Sequence, residues 1–227
     1  MSDDHDANAI SAYNKSFIHT PNLDRIVNEG ILFNRSLVGN SLCGPARATL
    51  ITGLHSPKNG FIDNNSKFNG SQLTMPKLMQ QAGYQKAVIG KWHLITYPTG
   101  FEYWEILPGQ GQYYEPEMID IKGDTSTYHN YATDLITDES LNWMQEKGDK
   151  TKPFMLLLHN KSLHRYFFPP LKYIVQYHTK TFPEPSSLYM DTVGRGSAWR
   201  LQTMSILPDM ILVSDLKVDP TYLMDIP

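Results

Sequence analysis

Apolar positions along this chain follow two periods, and segments of each kind alternate. In residues 20–30, TPNLDRIVNEG, Leu23, Ile26 and Val27 fall on one helical face. Thr20 fits the cap, Pro21 the first helical position and Gly30 the stop. Residues 31–38, ILFNRSLV, read as a strand. After the loop from Gly39 to Leu42 and Cys43, a helix is predicted from Pro45 to about Gly53. TMPKLMQQAG (74–83) repeats the device, with Thr74 as cap, Pro76 early and Gly83 as stop. YQKAVIG (84–90) is a short apolar strand. Residues 95–130, rich in Tyr, Gly and Pro, read as long loops. YATDLITDESLNWMQEK (131–147) is predicted helical. PFMLLLH (153–159) is a continuous apolar run, the pattern of a strand buried on both faces. Beyond it RYFFPPLKY and FPEPSSLY are irregular, and a last helix is predicted over about 195–207.

Strands alternating with helices predict an α/β sandwich with a mostly parallel sheet. Ligands in such folds bind beyond the carboxyl ends of the strands. A length of 227 residues, 41% hydrophobic and 19% charged, suits one large globular domain or two small ones. A net charge of −3 without a basic run gives no reason to expect a nucleic acid partner. No apolar stretch has the length of a membrane span. The opening Met1-Ser2-Asp3-Asp4-His5-Asp6 is polar and acidic, so no signal peptide is expected. One cysteine, Cys43, excludes an internal disulfide.

Polar clusters follow three of the predicted strands. Cys43 flanks a helix start, where free backbone N–H groups and the helix dipole favour an anion. Arg47, one turn on, would point a fork of donors at the same place. Lys91 and His93 lie two apart at a strand end, so in extended chain two cationic donors converge. Lys161 and His164 follow the next strand, and His164 could protonate a leaving alkoxide. Asp3 and Asp4 are adjacent carboxylates, hard-oxygen ligands for Ca²⁺ or Mg²⁺ if they join a site. Taken singly, each is ordinarily a packed or solvated group. Together they describe an electropositive pocket for a tetrahedral oxyanion beside an acidic metal cradle. That is phosphate or sulfate ester chemistry, with nothing yet to choose between them.

SLCGPARATLITG (41–53) resembles the first signature of the sulfatases, C-x-P-x-R followed by two residues, two apolar residues and T-G. Cys43, Pro45, Arg47, Leu50, Ile51, Thr52 and Gly53 match it. GYQKAVIGKWHL (83–94) resembles the second signature, SDDH (2–5) the end of the family's first strand, and HNKSLHRYFFPP its H-K-x-P-H-R segment. TPNLDRIVNEGILFNRSLV (20–38) resembles the segment between the metal aspartates and the cysteine. The manner is closest to bacterial sulfatases acting on sulfated sugars, including those that remove 6-O-sulfate from N-acetylglucosamine.

The resemblance implies an alkaline-phosphatase-like α/β fold. It also implies that a formylglycine-generating enzyme, acting as a partner, oxidises Cys43 to an aldehyde. Water would hydrate the aldehyde to a diol. One hydroxyl would attack sulfur, and the other would then expel sulfate. By position, Asp3 and Asp4 become Ca²⁺ (or Mg²⁺) ligands alongside the group at Cys43. Arg47 supports the formylglycine, and Lys91 and His93 bind sulfate or steer the diol. His164 is the acid for the leaving group and Lys161 a further substrate contact. The substrate would be a sulfated carbohydrate and the compartment periplasmic or extracellular.

The family pattern also sets expectations that this chain departs from. Its first strand should precede Asp3, and a later Asp-Asn or Asp-His pair, a further lysine and a C-terminal subdomain should follow. Residues 1–227 are therefore expected to form a partial N-terminal catalytic domain, poorly folded or of little activity. Asp63-Asn64 lies too early to be the missing pair. Lys86 stands where Ser or Thr is usual, Leu163 replaces a Pro, and Gly44 adds freedom at the helix start. A phosphodiesterase or phosphonate monoester hydrolase sharing C-x-P-x-R, and a non-catalytic remnant, are the alternatives.

Overall fold

The computed structural model describes residues 1–190, 193–202 and 209–217. They form two units: Met1–Lys15 with His19–His164, and Ser16–Ile18 with the chain from Arg165 onward. The first unit is built around β1 (Gln85–Lys91), buried from Lys86 to its end. β2 (Tyr103–Leu107) and β5 (Phe154–His159) flank β1 in parallel, with Lys91 opposite Leu107 and Gly90 opposite His159. β3 (Glu117–Asp120) and β4 (Thr125–Thr127) extend the sheet antiparallel, giving the order β4-β3-β2-β1-β5. Gly90 has φ +105°, and a Cβ there would lie 2.1 Å from the His159 carbonyl oxygen, so only glycine lets the two strand ends meet.

Strand alternation sends Val88 to one face and Ala87 and Ile89 to the other. On the first face Ala48 and Ile51 of α2 (Cys43–Thr52) pack with Phe61, Phe68, Trp92 and Trp104. On the second, Leu135 and Ile136 of α5 (Ala132–Asn142) pack with Leu107, Met118 and Trp143. Each large apolar side chain so buried contributes about 1.5–3 kcal/mol. α5 runs on as a π turn over Trp143–Lys147. α3 (Ser56–Asn59) and α4 (Met75–Gln81) lie against α2.

Several expectations change. α1 (Pro21–Glu29) forms, but its apolar face is uncovered, with Ile26 67% exposed. Neither Thr20 nor Thr74 caps its helix through its side chain. The Thr20 hydroxyl instead bonds Ser11, which donates to Asp24 in the first turn of α1. Residues 31–38 form no strand and pair with none of the described sheet. Residues 95–130 are not all loop: β2, β3 and β4 lie there. β2 escaped notice because its one charged residue, Glu105, is buried too, accepting from the Tyr103 and Tyr128 hydroxyls. β5 is a strand, but only half-buried, since it ends the described sheet. Along its outer edge the Met1 ammonium donates to the Leu158 carbonyl at 2.8 Å, and Asn160 N–H to the Met1 carbonyl at 2.9 Å.

In the second unit the proline-rich stretch is irregular, as its composition predicts, apart from a 3-10 turn at Leu171–Tyr173. α6 (Ser197–Leu201) covers part of the last predicted helix, and residues 203–207 of that prediction lie outside the described residues. An Arg165–Asp215 ion pair and an edge-on Phe17–Phe182 contact at 6.3 Å tie this unit internally. Among the described residues no helix is long and apolar enough to cross a membrane.

Candidate active site

The carboxyl ends of β1 and β5 and the start of α2 converge. α2 presents Gly44, Arg47, Ala48 and Ile51 inward, the spacing of one helical face, so burying the helix buries Arg47 as well. Asp3 is 4% exposed, Arg47 1% and Lys91 0%. Lys91 Nζ donates to Asp3 Oδ2 and stands 3.7 Å from Cys43 Sγ. Arg47 Nη2 faces Asp3 Oδ1 at 3.4 Å, and its Nη1 donates to the Lys91 carbonyl. Burial alone would push Asp3 up, but Lys91 and then Arg47 hold its carboxyl below the usual range. The Cys43 thiol goes the other way: burial raises it, and the Asp3 and Asp4 charges add to that against Lys91. Cys43 is therefore a protonated thiol around neutral pH despite its helix-start position.

Other members of the predicted set behave differently. Arg47 offers no fork to an external oxyanion, because its guanidinium is enclosed. His93 is not extended: its φ is +54°, so the alternation argument does not place it. Burial, then Lys91 and Arg47, lower its pKa to about 4, so it is neutral rather than a second cation. Its Nδ1 is buried without a hydrogen-bond partner. Lys161 donates to the Gln110 carbonyl at 3.1 Å and lies over the Tyr113 ring. Burial, then Lys91, brings its pKa down to about 8. His164 Nε2 faces Asp4 Oδ2 at 3.8 Å.

The two adjacent aspartates are separated in role. Asp3, Cys43 and His164 offer ligand atoms within 4.8 Å of one another, whereas Asp4 stands outside that trio with its side chain 55% exposed. In kind, the Asp3 and Asp4 carboxylates suit a hard divalent cation. In number they fall short of the six to eight or so oxygens that Ca²⁺ takes. Both Asp3 oxygens also already face cations.

Sequence reasoning missed three residues. His159 is buried at the end of β5 with Nδ1 3.1 Å from Arg47 Nη1. Its place as the polar end of an apolar run was the available signal. Tyr113 donates its hydroxyl to the His164 carbonyl, and no sequence signal marked it. Asn64 Oδ1 accepts from Gly44 N–H at 3.0 Å, satisfying a free donor at the start of α2. Gly44 itself is not surplus freedom: a Cβ there would sit 2.6 Å from Phe61 and 3.0 Å from the His93 carbonyl.

The sequence model described as Sulfatase matches residues 1–195. An N-acetylglucosamine-6-O-sulfatase of Bacteroides thetaiotaomicron is 48% identical over 221 residues, 96% of this chain and 39% of that one. The N-acetylgalactosamine-6-sulfatase of Mus musculus is 30% identical over 178 residues, 60% of this chain and 34% of its own. A solved structure of a protein in complex with its substrate D-glucosamine-2-N,6-O-disulfate aligns with a TM-score of 0.91 and 46% identity, over 99% of this chain and 46% of that one. The chain thus spans less than half the length of these relatives.

Proposed function

We propose, from the premise that this chain belongs to the sulfatase family, that residues 1–227 are the N-terminal catalytic part of a sulfuric ester hydrolase acting on a sulfated sugar. The sugar is a glucosamine carrying 6-O-sulfate, by similarity to the 48% identical relative and to the solved complex. The carrying observation is the convergence of Lys91, Arg47 and Asp3 on Cys43 at the strand ends.

Formylglycine, made from Cys43 by a modifying enzyme, supplies the nucleophile. A half-buried thiol whose pKa is raised supports the precursor reading over a thiolate. Asp3 and Asp4 would hold Ca²⁺ (or Mg²⁺), which supplies charge neutralisation at the sulfate. Lys91 holds its ammonium between Asp3 and position 43, where it lowers the cost of charge gathering on sulfate oxygens. Lys161 adds a second cation to the sulfate, and neutral His93 offers a hydrogen bond without charge. His164, beside Asp4, gives its proton to the departing sugar oxygen. The compartment is periplasmic or extracellular, by family resemblance.

The test co-expresses the chain with a formylglycine-generating enzyme and weighs the tryptic peptide containing Cys43. The mass of the aldehyde, with sulfate released from glucosamine-6-sulfate and an aryl phosphate diester cleaved more slowly, is expected. Faster cleavage of the diester would move the assignment to a phosphodiesterase. Unmodified thiol and no hydrolysis would make the chain a non-catalytic relative.

A further inference from the structure

We propose that His159 is a positioning residue for this chemistry, fixing through Arg47 where Asp3 and the main chain at Lys91 stand; the inference rests on the function proposed above. Arg47 carries N–H donors and no acceptor, and it keeps its proton. The contact between its Nη1 and His159 Nδ1, 3.1 Å long, therefore runs one way. Nδ1 is the bare nitrogen and Nε2 carries the hydrogen.

The guanidinium is gripped on one side only. Nη1 has two acceptors, the Lys91 carbonyl and His159. Nε has no hydrogen bond, and neither does Nη2, which reaches Asp3 only as an ion pair at 3.4 Å. The placing of that outer arm against Asp3 thus depends on the inner grip. His159 is itself well anchored: it closes β5 opposite Gly90, where the missing Cβ lets the strands approach. A residue whose backbone is fixed between two strands is a rigid support for a side chain that must hold charge in place. Burial, then the Arg47 charge, keeps His159 neutral down to about 3, so the acceptor is present throughout the working pH range.

Three variants test this. His159→Asn puts an oxygen where Nδ1 sits, His159→Gln puts one where Nε2 sits, and His159→Leu supplies neither. His159→Leu is expected to lower kcat about a hundredfold with KM little changed, the scale of a 1 Å misplacement. It should also weaken Ca²⁺ binding, read by calorimetry, through the loosened Asp3. His159→Asn is expected to recover most of both, and His159→Gln little. Equal behaviour of Asn and Gln, or Leu matching the parent in kcat and Ca²⁺ affinity, overturns the proposal. Should His159→Leu fail to fold, the Asn–Gln pair decides alone. A parent chain that hydrolyses no sulfate ester would count against the proposed function, while Ca²⁺ affinity would still judge His159.

Discussion

Lys86 and Lys91 stand at opposite ends of β1, and both are wholly buried. Their surroundings are unlike. Lys86 pairs with Glu102, whose side chain is 53% exposed, so the pair lies at the edge of solvent and its charges balance. Lys91 pairs with Asp3, 4% exposed, and Asp3 must also face Arg47. At that end two enclosed cations share one enclosed carboxylate. Unbalanced charge inside a protein is unfavourable to folding unless something arrives to match it. The same residue type on the same strand is thus structural at one end and, on our proposal, functional at the other. The parallel arrangement decides which, because helix starts and strand ends gather at the carboxyl edge.

The comparison breaks most readily at Lys91. Lys91→Met is expected to lower kcat/KM about a hundredfold to a thousandfold, the scale of losing one preorganised charge donor. It also leaves Asp3 enclosed with Arg47 alone, a pair whose charges balance, so urea unfolding is expected to show a stability within about 1 kcal/mol of the parent or above it. A variant about 3 kcal/mol less stable than its parent would show that Asp3 needs both cations and that the charge at this end is not in surplus.

A smaller effect comes from acid. His159 and His93 are held neutral, to about 3 and about 4, while in the unfolded chain each protonates near its ordinary 6.5. Between those limits the unfolded state binds more protons, so stability rises with pH and falls as pH drops below 6.5. Each histidine contributes up to about 1.4 kcal/mol per pH unit across its window. Melting temperatures from neutral pH down to the acid limit should decline accordingly. His159→Asn should make the decline shallower, and an unchanged slope would sink the assignment to His159.

The end of β1 to which we assign the chemistry was the more legible one. Cys43, Arg47, Lys91, His93, Lys161 and His164 follow strands or open a helix in sequence, and the structure gathers their backbones at one edge. Their charge states were not legible. His93 looked like a cation two residues from Lys91, but burial, then the Lys91 and Arg47 charges, keep it neutral. Arg47 looked like a ligand donor until its helix face proved to be the core face. His159 and Asn64 act on Arg47 and Gly44 from 112 and 20 residues away, and sequence spacing carries no trace of such contacts. In the fold, β1, α2 and α5 announced themselves through apolar runs, Pro and Gly. β2 did not, because a central strand can bury a glutamate when two tyrosines satisfy it. Residues 31–38 failed in the opposite sense: Leu37 and Val38 have strand character but no strand beside them, and both are exposed.

The least effect is expected at Lys86, and it is the control that gives the comparison its meaning. Lys86→Met removes an enclosed charge and leaves Glu102, which is exposed enough to take water in place of the ammonium. It also keeps its bond from the Lys86 backbone N–H at 2.6 Å, which needs no lysine side chain. The methionine stem fills much of the same apolar space. The expected change is therefore within about 1 kcal/mol, the value of an edge ion pair, and of either sign. Activity should stay within about twofold, since no residue gathered at the carboxyl edge touches Lys86. A loss of activity at Lys86 as large as that at Lys91 would mean that buried lysines on β1 are costly to remove wherever they lie. The charge imbalance at the carboxyl end would then not be what distinguishes it.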